Sequence, residues 1–146
     1  MKQDAWDPAQ YGRFRDERSR PFHDLLALVQ PRPGMRVVDL GCGTGELTRL
    51  LHERLAAAET IGLDSSEAML ARCAACAADG LRFERRDIRD FPGDEHYDLV
   101  FSNAALHWLP DHPALFRRLT AALANGGQLA VQMPANFDHP SHRVAA

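Results

Sequence analysis

"VVDLGCGTGELT", residues 37–48, joins a β-branched run to three glycines within five positions and then to an apolar-periodic segment. The run "RVVDL" at 36–40 predicts a strand, and "ELTRLLHERLAAA" at 46–58 predicts an amphipathic helix with Leu47, Leu50, Leu51 and Leu55 on one face. Gly41, Gly43 and Gly45 then form a strand-to-helix turn. Glycine tolerates positive φ and has no Cβ, so such a turn is tight and lets a ligand approach the backbone. The helix behind it offers free N–H groups. This is a nucleotide-type cradle in its confirming context. The spacing narrows the ligand. A dinucleotide fingerprint reads G-x-G-x-x-G, whereas this turn reads G-x-G-x-G, so the pyrophosphate pattern is not met. An acid that takes ribose hydroxyls is expected at the end of the second strand, about 20 residues on. Asp64 stands there, closing "TIGLD" at 60–64.

The alternation continues outward in both directions. "FHDLLALV" at 22–29 has helical spacing and is broken by "QPRPG" at 30–34. "EAMLARCAACAAD" at 67–79 reads as one Ala-rich helix, capped by Ser65 or Ser66, with Glu67 in its first turn. "LRFERRD" at 81–87 is a third strand, and the nearly all-apolar "YDLVFSN" at 97–103 is a fourth and central one. "HPALFRRLTAAL" at 112–123 is a helix stopped by "NGG" at 125–127, and "GQLAVQMP" at 127–134 is a fifth strand. Strands alternating with helices predict right-handed βαβ units and a parallel sheet covered on both faces. Open α/β sheets bind ligands beyond the carboxyl ends of their strands.

Composition excludes several classes. The 146 residues are 45% hydrophobic and 25% charged, with a net charge of −3, enough for one domain and without a global pull toward nucleic acid or an anionic membrane. No apolar run reaches the ~20 residues of a membrane span. The start, "MKQDAWDPAQ", lacks a signal peptide's apolar centre, and the chain reads as cytoplasmic. The cysteines are Cys42, Cys73 and Cys76. An odd count argues against a disulfide framework, and Cys73 and Cys76 lack the second ligand pair that zinc requires, so no metal is expected. They read as small packing residues on a helix face.

Four segments, each ending a strand, together resemble the class I S-adenosylmethionine-dependent methyltransferases: "VVDLGCGTG", "GLDSSEAML" at 62–70, "RRDIRDF" at 85–91 and "YDLVFSNAALHWL" at 97–109. The segments "WDPAQYGRFRDERSRPFHDLL" at 6–26, "SNAALHWLPDHPALFRRL" at 102–119 and "QMPANFDHPSHR" at 132–143 resemble, more narrowly, the amino-terminal part of the trans-aconitate 2-methyltransferase family. That resemblance implies a Rossmann-like, doubly wound, mainly parallel sheet without the last two strands of the family. It implies an amino-terminal cap over 1–30, a cofactor-binding core over 31–134, and the start of a substrate cap over 135–146. It also implies S-adenosylmethionine as cofactor, S-adenosylhomocysteine as product, and a small-molecule carboxylate as acceptor.

By the same resemblance, Asp39 and the Gly41–Gly45 turn hold the methionine portion, and Asp64 takes the ribose hydroxyls with Ser65 beside it. Asp87 and Ile88 meet the adenine, and Asn103 receives the cofactor's amino group. Met69 lies either near the adenine or in ordinary helix packing. Trp108 is either a wall of the cofactor site or a buried aromatic anchoring the next helix. His107 faces the transfer site as a spacer or hydrogen-bond donor. Tyr11, Arg18 and Arg20, in an amino-terminal group that includes Arg13 and Arg15, are substrate candidates, against the alternative of a solvated helix face. The exposed fifth strand invites self-association. Against the methyltransferase reading stand a non-catalytic cofactor-binding domain and a nicotinamide-dependent oxidoreductase.

Overall fold

The computed structural model describes residues 19–92 and 95–133. Its strands are β1 (Arg36–Leu40), β2 (Glu59–Asp64), β3 (Leu81–Arg85), β4 (Tyr97–Asn103) and β5 (Leu123–Gln132). Its helices are α1 (residues 19–28), α2 (Glu46–Leu55), α3 (Glu67–Cys73) and α4 (His112–Ala121). Short 3-10 turns occupy Ala74–Cys76, Ile88–Asp90 and Leu106–Trp108. The strands lie in the order β3-β2-β1-β4-β5, and all four pairings are parallel. The chain winds outward from β1 to β3, then returns to the other side of β1 for β4. That reversal leaves a crevice beyond the carboxyl ends of β1 and β4.

Alternate residues of each strand feed opposite faces. On one face Val37, Leu99 and Phe101 pack with Phe22 and Leu25 of α1 and Leu51 and Leu55 of α2. On the other, Val38, Leu40, Ile61, Leu63 and Val100 pack with Leu115 and Leu119 of α4. Each such side chain contributes about 1.5–3 kcal/mol on burial. Cover on both faces explains why β4 is apolar almost throughout. The amino ends of the strands are closed by charge. The Arg36 backbone N–H donates to Asp98 Oδ2 (2.8 Å), its guanidinium pairs with Glu59 (2.7 Å), and Arg82 also pairs with Glu59. Arg36 also lies 4.8 Å from the centre of the Tyr97 ring, whose burial pushes the phenol up to about 12.

The expected helices and strands are all present among the described residues, with several boundaries moved, three of them for clear physical reasons. The 67–79 helix breaks at Cys73, where the side chain drops into the glycine turn and a 3-10 turn takes over. The fourth helix ends at Ala121, because Ala122 is fully buried and the Tyr97 N–H donates to its carbonyl (2.8 Å). The "NGG" triplet is therefore not a helix stop. It lies inside β5, where the register against β4 slips between the Tyr97 and Leu99 pairings. A Cβ on Gly127 would sit 2.9 Å from the Ala124 carbonyl oxygen. The central strand is β1, with β4 interior beside it.

Candidate functional site

The glycine turn takes positive φ at all three positions: +76° at Gly41, +60° at Gly43 and +95° at Gly45. Two of them are also closely approached. A Cβ on Gly41 would lie 2.5 Å from the Ala105 Cβ, and one on Gly45 would lie 3.1 Å from the Phe83 ring and 3.3 Å from Cys73 Sγ. The N–H groups of Gly41 and Cys42 both donate to the Leu63 carbonyl, at 2.8 and 2.9 Å, which hangs the turn on β2. Thiols pin it from behind. Cys73 Sγ lies 3.1 Å from the Gly43 carbonyl and 4.0 Å from Cys42 Sγ, and Cys76 Sγ lies 3.7 Å from the Thr44 carbonyl. The Cys73 sulfur and burial push the Cys42 thiol up. Cys73 and Cys76 are thus packing groups, as the sequence suggested, but Cys42 is the neighbour it did not foresee. Among the described residues no group of three His, Cys, Asp or Glu side chains is placed to hold a metal ion.

Asp64, at the end of β2, bridges two loops. Its Oδ2 accepts from the Gly43 N–H (3.0 Å) and its Oδ1 from the Ser66 N–H (2.9 Å). A carboxylate has about four acceptor positions, so each oxygen keeps capacity for a ligand. Ser66, not Ser65, caps α3, accepting from the Met69 N–H (3.2 Å). Asp39 is only 5% exposed and accepts from the Thr48 hydroxyl at 2.6 Å, so its carboxylate ties β1 to α2 behind the turn.

These elements border a cleft of about 450 Å³, within the ~300–1,000 Å³ typical of small-molecule sites. Gly41, Asp64 and Ser65 form one wall, Arg86, Asp87, Ile88 and Arg89 a second, and Ala105, Trp108, Leu109 and Pro110 a third. Asp87 Oδ1 accepts from the Arg89 backbone N–H (2.8 Å) and Nε (3.1 Å), and Oδ2 from Nη2 (2.7 Å). This guanidinium grip, with the backbone bond, holds the Asp87 carboxyl down at about 2. Trp108 is 78% exposed and lines the cleft, so it is not a buried anchor. His107 lies against it with ring centroids 4.5 Å apart, and burial, with His112 nearby, lowers its pKa.

Of the residues singled out in the sequence, Gly41, Asp64, Ser65, Asp87, Ile88 and Trp108 meet in the cleft. Asp39, Gly43, Gly45, Met69, Asn103 and His107 are not on its walls. Asn103 is buried at the end of β4, and Met69 is half-buried on α3. Arg20 is exposed on α1. Tyr11, Arg13, Arg15, Arg18 and the 135–146 segment lie outside the described residues. Sequence reasoning missed Arg86, Arg89, Ala105, Leu109 and Pro110, although all five fall inside the motif segments. The only available signal was Arg89 two positions after Asp87, a spacing that lets one side chain reach the other. The arrangement binds and orients: two carboxylates, two guanidinium groups and an indole face one space.

The family described as a methyltransferase domain matches residues 37–127. The trans-aconitate 2-methyltransferase of Deinococcus radiodurans is 55% identical over 96% of this chain and 54% of its own length. An S-adenosylmethionine-dependent methyltransferase from Mesorhizobium loti superposes with a TM-score of 0.69 at 39% identity, over 76% of this chain and 52% of that one. DhpI, in its complex with SAH, gives a TM-score of 0.70 at 28% identity, over 84% of this chain and 59% of that one. The chain spans about half the length of the curated relatives it matches. The glycine turn, Asp64, Asp87, β2 to β4 and all of β1 but Arg36 fall inside the matched region, and the chain belongs to the methyltransferase-domain family.

Proposed function

We propose that the chain binds S-adenosylmethionine in the cleft beyond β1, β2 and β4, and serves methyl transfer to a carboxylate of trans-aconitate, giving a monomethyl ester. The observation that carries this reading is Asp64. Its carboxylate is fixed by the Gly43 and Ser66 N–H groups and lines the same cleft as Asp87. Two acids at separate points of one cleft fit a ligand that carries ribose hydroxyls at one point and an exocyclic amine at another. The similarity to trans-aconitate 2-methyltransferases supplies the acceptor.

In this reading Asp64 and Ser65 hold the ribose, and Asp87 and Ile88 hold the adenine, with Met69 nearby. The Gly41, Gly43 and Gly45 turn, with Asp39 behind it and Asn103 at the end of β4, holds the amino-acid portion. The bound cofactor supplies a methyl group on a cationic sulfur. Trp108 offers an aromatic face to that cation, a contact worth about 0.5–2 kcal/mol. A carboxylate acceptor is ionised at neutral pH, since its pKa is near 4, and no base is required. His107, whose pKa is lowered by burial, then acts as spacer or hydrogen-bond donor rather than base. The protein's contribution is orientation, an effect that reaches ~7–11 kcal/mol in well-aligned systems. Tyr11, Arg18 and Arg20 are the proposed cations and hydroxyl for the substrate's carboxylates. We further infer a cytoplasmic setting, where free thiols such as Cys42 and Cys73 persist, no nucleic-acid partner, and self-association through the outer edge of β5.

Calorimetric titration of the 146-residue chain with S-adenosylhomocysteine tests the reading. Saturable binding is expected, and Asp64→Ala should weaken it by roughly 10- to 100-fold, the worth of a charge-assisted hydrogen bond. NAD should give no heat. A folded chain that ignores S-adenosylhomocysteine would overturn the reading. With binding in hand, ester formation from trans-aconitate tests the acceptor.

A further inference from the structure

The wall that carries Asp87 has little stiffness of its own. It is a single 3-10 turn, Ile88–Asp90, closed by Asp90 N–H to the Asp87 carbonyl (2.9 Å) and Phe91 N–H to the Ile88 carbonyl (3.0 Å). One such turn fixes several dihedrals for few hydrogen bonds and is marginal alone. Its carbonyls are held from outside by one side chain. Arg118 Nη1, reaching across from α4, donates to the carbonyls of Phe91 (2.5 Å), Arg89 (3.2 Å) and Ile88 (3.3 Å). That nitrogen has two hydrogens, so three acceptors share them. A cation at the carboxyl end of a turn also meets the negative end of its peptide dipoles. Below the turn, Phe91 is buried in the core cluster that contains Leu115 and Leu119 of α4. On its other side, Ile88 and Arg89 line the cleft, and Arg89 grips Asp87 through three hydrogen bonds.

We propose that Arg118 is a positioning residue for the cleft: through the Ile88, Arg89 and Phe91 carbonyls it fixes the 3-10 turn, and with it the direction of the Asp87 carboxylate. The inference rests on the reading above that Asp87 meets the adenine's exocyclic amine. It adds that α4, which does not touch the cleft, sets the precision of that contact.

Two measurements on the full chain test it. The first needs no ligand: hydrogen exchange at the Asp90 and Phe91 amides. Arg118→Ala should speed exchange there while the β1 amides stay protected, and Arg118→Lys should restore part of the protection. The second compares affinity for S-adenosylhomocysteine with that for S-inosylhomocysteine, in which the amine is replaced by a carbonyl. The unaltered chain should prefer the amine by about tenfold or more, the range of a charge-assisted bond. Arg118→Ala should shrink that preference to within about threefold, as expected when a binding group is misplaced by about 1 Å. A merely structural loss would weaken both ligands alike. Unchanged exchange at Asp90 and Phe91 with the preference intact overturns the proposal and leaves the cofactor reading standing. No S-adenosylhomocysteine binding by the unaltered chain removes both.

Discussion

Gly41 carries two constraints at once: φ of +76° and a neighbour, the Ala105 Cβ, 2.5 Å from where its own Cβ would be. Gly41→Ala should cost about 2–3 kcal/mol, since left-handed backbone costs ~1–2 kcal/mol for an L-residue and overpacking ~1–3 kcal/mol, with some relief by local shifts. A urea denaturation midpoint reads this directly. Adding Ala105→Gly should recover the contact share and leave the backbone share. Full recovery, or no loss in the single variant, would mean that the turn is less constrained than its geometry states. Asp87 makes the same point in electrostatic terms. A depressed carboxyl pKa means that the Arg89 pair is present above the ordinary aspartate value and is lost as pH falls through about 2. The grip is therefore constant across the neutral range.

Elements are held to one another by a few buried polar bridges. His52 on α2 reaches Thr60 of β2 (Nδ1 to Oγ1, 2.7 Å) and the Asp79 carbonyl before β3 (Nε2, 3.0 Å). A carbonyl only accepts, which places a hydrogen on Nε2. The side chain thereby joins a helix, a strand and a turn that are distant in sequence. His52→Leu should lower stability by about 2–3 kcal/mol, because it leaves the fully buried Thr60 hydroxyl unsatisfied and frees the Asp79 carbonyl. Thermal or chemical unfolding would show it, and a neutral result would mean that packing alone joins these elements. The Asp39–Thr48 bond does the equivalent work between β1 and α2, setting where the glycine turn begins.

At the scale of the molecule, β5 is the outermost strand among the described residues, and none of those residues pairs with its outer edge. Leu129, Val131 and Met133 are only partly buried against the core. An edge of that kind presents unpaired N–H and C=O groups beside apolar side chains. Sedimentation velocity should show the weight-average mass rising with concentration above the 16.3 kDa of one chain. A constant monomer mass at all concentrations would remove self-association from the proposed behaviour.

The sequence by itself determined the alternation of strands and helices, and with it the doubly wound sheet. β1 and β4 were legible to the residue, because continuous apolar runs have one stable place between two helical layers. Asp64 and the glycine turn were legible because their chemistry is local: a turn residue and a strand-end acid keep their meaning wherever the chain goes. The tertiary structure alone decided the rest. That Cys42 meets Cys73, that Ala105 presses on Gly41, and that Arg118 holds the Ile88–Asp90 turn are contacts across separations that no periodicity encodes. The "NGG" triplet shows the same division. Locally it signals a helix end, but the burial of Ala122 and the pairing of Leu123 with Tyr97 end α4 sooner and move those glycines into a strand irregularity. Period and composition report which face is buried. Only the packed fold selects the neighbour against which it is buried, because that choice is made by the joint exclusion of water from many side chains at once.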